Sequence, residues 1–397
     1  MRHFASPAEP AAEASGGVPP AKSRVFGLDL LRALAILAVL GAHASVVLYP
    51  HLPPWFGLVG HGGFYGVELF FVLSGFLIGQ ILMRENANLE GPGHLATFYV
   101  RRWFRTLPLF WLFLAINVLL EYRLRQHPIA LGEAVSHGLF VRTFAHNNLT
   151  FFPESWSLAI EEWFYLLFPA ALWIGLQFWK RFDRVFLGVA IGFYLFSTIG
   201  RALHALNSSA TWAESQREIV IYRFDALMTG MLAAWIAARA PGTWAKHRLL
   251  CAAAGSLILF AMYATLWKFT GRQLDFGDDN FFARSFRFNC VSLGFALLLP
   301  WASRWRIARE NAASFSIRRI ALWSYALYLV HLPLLDMALR FVLPGWRSSG
   351  VEAAFLFVLL FALALTISAL LYRFFESPCT RLREHAAPAV ARWLGRF

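Results

Sequence analysis

Ten stretches of about twenty mostly apolar residues recur along the chain, near 26–48, 64–83, 104–121, 157–178, 185–204, 219–238, 249–268, 284–303, 320–341 and 351–375. A helix of about twenty residues matches the hydrocarbon thickness of a bilayer, whereas a membrane β-barrel would show alternating segments of about ten. The expected fold is therefore all-α: a polytopic membrane protein of about ten transmembrane helices. Composition agrees, because 15% of the residues are charged and 58% are hydrophobic, while a soluble domain carries roughly a quarter charged residues.

Orientation follows from the basic residues, which are retained on the cytoplasmic side of inserted helices. With the N-terminus inside, the inner segments 1–25, 84–105, 179–184, 239–248, 304–319 and 373–397 hold 23 of the 36 Lys and Arg. Both termini are thus expected in the cytoplasm. The formal charge of +13 then reflects attraction to anionic lipid heads. Nucleic acid is not an expected partner, since the basic residues lie in short pieces between spans instead of on one face. Residues 1–24 read as a flexible cytoplasmic tail, 25–378 as the membrane domain and 379–397 as a short cytoplasmic tail. The outer segment 122–156 has room for a short interfacial helix.

Function is sought in the polar residues that these spans bury, because an ionisable group in a bilayer is costly. Arg32 and His43 lie eleven residues apart in the first span, about three helical turns and about 16 Å. They leave one face at different depths, which predicts a polar column through the span. A structural reading competes: Asp29 can pair with Arg32, and a lone imidazole can bond a neighbouring carbonyl. Glu68 stands near the outer end of the second span, and Gly75 suits close helix packing. Arg102 and Arg105 share a helical face at the inner boundary, as a topology signal or as a phosphate site.

Glu161 and Glu162 follow Trp156 at the outer start of another span. Adjacent helical residues point about 100° apart, so at most one faces a shared site. Arg223 can pair with one of these glutamates or with Asp225, while Tyr325 and His331 approach mid-membrane. Trp55, Trp156, Trp163 and Trp212 can stack on sugars or anchor at the interface. Cys251, Cys290 and Cys379 have no metal or disulfide spacing. His43, His51 and His61 read more readily as loop and helix residues than as metal ligands, so no metal is expected.

Together these residues resemble the successive motifs of acyltransferase family 3. The resemblance runs through Gly27-Leu28-Asp29-Leu30-Leu31-Arg32 with His43, Gly66 to Gly75, Arg102 to Pro108 and Trp156 to Tyr165. It continues through Arg223-Phe224-Asp225, Ser324 to His331 and Tyr372 to Glu376. Each motif is weak alone, but the ordered set covers about residues 25–385. Leu30 stands where the family often has glycine, and Trp163 where it often has glutamine.

The resemblance implies a bacterial inner-membrane O-acyltransferase that moves an acyl group, usually acetyl, from cytoplasmic acyl-CoA to a hydroxyl of a glycan or other extracytoplasmic acceptor. It implies acyl-CoA as a co-substrate, with no permanently bound cofactor. His43 is the essential histidine, expected as general base, and one of Glu161 or Glu162 is expected to orient it or to hold an acceptor hydroxyl. Arg32, Arg102 and Arg105 are linked to the donor. Glu68, Trp156, Arg223, Asp225, Tyr325 and His331 are expected around the pocket or acceptor. Acyl transfer to an alcohol requires a base for the hydroxyl proton, a donor for the oxyanion and alignment of both substrates. The rival reading is a transporter or flippase of a polar or lipid-linked saccharide, which would line its helices with similar residues.

Overall fold

The computed structural model describes residues 25–48, 57–84, 92–125, 128–144, 149–208, 216–265, 268–270, 273–275, 280–342 and 349–394. The expected tail 1–24 and residues His51, Trp55 and Trp212 lie outside them. Apart from connecting turns, the described chain is helical except for an antiparallel pair, β1 (Lys268–Thr270) and β2 (Gln273–Asp275), joined in the register Lys268 to Asp275.

Among the described residues, seven helices are long and apolar enough to cross a membrane. These are α1 (Phe26–Leu48), α2 (Gly57–Arg84), α3 (Pro92–Leu120), α5 (Ser155–Phe178), α6 (Phe182–Asn207), α12 (Ala312–Phe341) and α13 (Gly350–Leu371). The other three expected spans are helices too, but shorter: α7 (Phe224–Arg239) and α11 (Arg287–Ala302) have 16 residues and α9 (Arg248–Ala264) has 17. Their apolar runs stop short of the roughly twenty residues a bilayer needs. The expected count of ten is therefore met by seven helices of full length.

Short helices α4 (Leu131–Gly138), α8 (Pro241–Lys246) and α10 (Phe281–Ser285) connect the longer ones. Helix α4 fills the outer segment where an interfacial helix is expected, with Leu131 and Leu139 exposed. The expected short tail begins within α14 (Ser377–Leu394), which packs along α3 and buries Ala387. A run with one apolar side is stable as a helix when a neighbour covers that side.

Helix α1 is central, packed against α2 and α12, while α2 also lies along α7. Gly75 permits the second contact: a Cβ there would overlap the carbonyl of Leu227, and one on Gly230 would overlap that of Val72. Phenylalanines fill the interior, with Phe71, Phe76, Phe110, Phe164 and Phe168 buried. The fold thereby brings α1, α2, α3, α5 and α12 around a common space.

Candidate active site

That space is a cavity of about 450 Å³. Arg32 enters it from α1, Ser74 and Arg84 from α2, Arg102 and Arg105 from α3, Glu161 and Tyr165 from α5, and Tyr325 and Tyr328 from α12. Of the two adjacent glutamates, Glu161 lines the cavity. Its Oε1 accepts from Ser74 Oγ at 2.7 Å and its Oε2 from Tyr165 OH at 3.1 Å. Arg102 covers the Tyr165 ring at 4.5 Å, leaving its Nε without a hydrogen-bond partner. Tyr325 OH donates to the Thr106 carbonyl at 2.8 Å, tying α12 to α3. Several cations facing one polar space suit a polyanionic ligand. The sequence did not single out Arg84, the last residue of α2, which also lines the cavity.

His43 is absent from this lining. It borders a second cavity of about 280 Å³, together with His331 and apolar residues of α1, α12 and α13. The expected continuous column is thus divided: Arg32 and His43 share a helical face, and α1 and α12 wall both cavities, but α2, α3 and α5 complete the first and α13 the second. Tyr328 stands between them, lining the polar cavity with its ring centroid 5.6 Å from that of His331. Its hydroxyl meets Ser157 Oγ at 2.6 Å and donates to the Glu154 carbonyl at 3.2 Å.

The ring partner of His43 is an imidazole, and neither Glu161 nor Glu162 fills that role. His331 Nε2 lies 3.0 Å from His43 Nδ1, and His331 Nδ1 lies 2.7 Å from the Tyr328 carbonyl oxygen. A carbonyl can only accept, so the bond pattern assigns the His331 proton to Nδ1. For two neutral rings, His331 Nε2 then accepts from His43 Nδ1–H. The Nε2 of His43 keeps its lone pair, as a base requires.

Four expected pocket residues serve elsewhere. Glu68 forms an ion pair with Arg223 and accepts from Ser292 Oγ at 3.2 Å, with both members of the pair fully buried. Arg223 therefore pairs with neither Glu161, Glu162 nor Asp225. Asp225 instead pairs with Arg201 at 2.9 Å, and Arg201 also reaches Asn289 and the carbonyls of Ser285 and Tyr222. This network joins α2, α6, α7 and α11, and its charges are compensated, as burial demands. Trp156 is buried beneath the guanidinium of Arg217 at 5.1 Å. Glu162 is buried outside the cavity lining, with Oε2 lacking a partner.

Arg217 was not anticipated. It stands outside the spans, acts electrostatically on His43 and has a buried Nε without a partner. A lone basic residue between two spans gives no sequence signal; only folding brings it toward the imidazole.

A family model described as an acyltransferase domain matches residues 25–373. The chain belongs to this acyltransferase family. It is 34% identical over 193 residues to the peptidoglycan O-acetyltransferase OatA of Listeria monocytogenes, covering 44% of this chain and 28% of that protein. It is 34% identical over 176 residues to a Bacillus subtilis protein provisionally named peptidoglycan O-acetyltransferase YrhL, covering 40% and 25% respectively. A Staphylococcus aureus protein, SACOL0978, provisionally named an O-acetyltransferase, is 34% identical over 180 residues, covering 42% and 28%. The matched part of this acyltransferase-family chain thus spans about a quarter of the length of these curated relatives. No solved structure matches it.

Proposed function

We propose that the protein is a membrane O-acyltransferase that takes an acyl group from cytoplasmic acyl-CoA and gives it to a hydroxyl of an extracytoplasmic glycan. The observation that carries this reading is the gathering of Arg32, Arg84, Arg102 and Arg105 on one cavity, a single tyrosine away from the imidazole pair. The names of the relatives favour a peptidoglycan-type acceptor. In this reading the seven long helices and the three shorter ones all span a bacterial inner membrane, with both termini in the cytoplasm.

The nucleotide phosphates rest on Arg84, Arg102 and Arg105 at the inner mouth, and the pantetheine arm runs past Arg32 and Glu161. Tyr328 swings aside to admit the thioester, exchanging its contact with Ser157 for one with the substrate. The acceptor hydroxyl approaches from the outer side, near Arg217. His43 Nε2 takes its proton as the new C–O bond forms, and His331 steadies the resulting imidazolium through its Nε2 lone pair. Arg217 stabilises the charge developing on the carbonyl oxygen. The C–S bond then breaks, and the proton held on His43 passes to the departing CoA thiolate. No permanently bound cofactor is required.

Purified protein in lipid nanodiscs, given labelled acetyl-CoA and peptidoglycan fragments, is expected to release CoA and form an acetyl ester. Loss of both products in His43→Ala, with the protein still folded, is the expected control. Movement of a saccharide across the membrane with no CoA released would instead establish the transporter reading.

A further inference from the structure

The reaction described above leaves the smaller cavity unused. Its walls come from Leu37, Leu40 and Ala44 of α1, Leu334 of α12, and Leu360 and Phe361 of α13. The two imidazoles are the polar side chains among its lining residues; all the others are hydrocarbon or glycine. A saccharide hydroxyl would find almost no hydrogen-bond partner there, at a cost that excludes it. An alkyl chain meets no such penalty.

The direction of the bound donor decides which alkyl chain this is. Its phosphates face the arginines of the polar cavity, and its thioester carbonyl must lie at His43. The carbons beyond the carbonyl then lead away from CoA, on the far side of the imidazole pair, where the apolar cavity begins. At roughly 30 Å³ per methylene, similar to the share of one water in the liquid, 280 Å³ holds about nine carbons.

We infer that this cavity is the acyl-tail pocket, and that the protein transfers medium-chain acyl groups, about four to eight carbons long, in preference to acetyl. This inference rests on the acyl-CoA reading above. The bond changes are the same: an ester C–O bond forms, the thioester C–S bond breaks, and the hydroxyl proton ends on the CoA thiol.

The test uses the full chain in nanodiscs with acyl-CoAs from two to twelve carbons and peptidoglycan fragments as acceptor. The ratio kcat/KM is expected to rise about fourfold per added methylene until the cavity is full. Ala44→Phe, which fills the cavity, is expected to lower the octanoyl-to-acetyl ratio at least tenfold, and Leu360→Ala to move the optimum to longer chains. An acetyl preference in the unaltered protein overturns the inference while leaving the acyltransferase reading intact. So does an octanoyl-to-acetyl ratio unmoved by either substitution, the result expected if a membrane lipid tail fills the cavity. If no donor of any length releases CoA, the acyl-CoA reading fails and the inference falls with it.

Discussion

His43 and His331 meet nitrogen to nitrogen at 3.0 Å across the interface of α1 and α12, although 288 residues separate them in the chain. Because His331 is itself held by the Tyr328 carbonyl, the pair has a defined direction: the free lone pair is on His43. Removing the base should cost more than removing its support. We expect His43→Ala to lower acetyl transfer by about 10²- to 10⁴-fold, the usual worth of a general base. His331→Phe should retain a measurable rate with an altered pH profile. Equal losses with unchanged profiles would contradict this division of roles.

Arg102 and Arg105 are expected to bind phosphate, not to act on the reacting carbonyl. Arg102→Ala and Arg105→Ala should each raise the KM for acetyl-CoA by about 10- to 100-fold, the range of a charged hydrogen bond. Acetyl-pantetheine lacks the nucleotide phosphates, so its KM should not move. Steady-state kinetics with the two donors distinguishes this from a general folding defect.

Glu68 and Arg223 are fully buried, and each compensates the other. Arg223→Met would leave the buried carboxylate without its cation and should destabilise the protein by about 3–5 kcal/mol. The double substitution Glu68→Leu with Arg223→Met should recover most of that loss. Thermal unfolding in detergent reads both, and a double variant as unstable as the single one would show that the pair does more than cancel charge.

Glu154 sits just before α5 with both carboxylate oxygens buried and unpartnered. Burial pushes its pKa from 4.5 up to about 8. Between these values the unfolded chain has released the proton while the folded one retains it, so this group's contribution to stability falls as pH rises from 4.5 to 8. Glu154→Gln should therefore raise the unfolding midpoint relative to the parent at pH 8 and not at pH 4.5. Parallel pH profiles for the two proteins would remove Glu154 from the account.

Much of the candidate site was legible because local chemistry marks it. Arg102 and Arg105 needed only helical spacing to share a face, and both line the cavity. The adjacency of Glu161 and Glu162 already implied that one would turn away. Which one could not be read, because that depends on how α5 is rotated against α2 and α3. Glu68, Arg223 and Asp225 look like site residues for the same reason His43 does: they are polar within apolar surroundings. Burial of charge occurs both where a cavity receives it and where a partner cancels it, and the partner Arg201 lies on another helix.

The sequence by itself determined that the chain is helical and made for a membrane, and which side chains would be costly to bury there. Those are properties of apolar run length and residue type. Tertiary packing alone decided that Arg32 and His43 open onto separate cavities, that His331 is the imidazole's partner, and that Arg217 approaches from the segment before α7. Helical spacing fixes where a side chain leaves its own helix. What it meets depends on the neighbouring helix, whose placement is set by long-range packing such as the fit of Gly75 against Leu227.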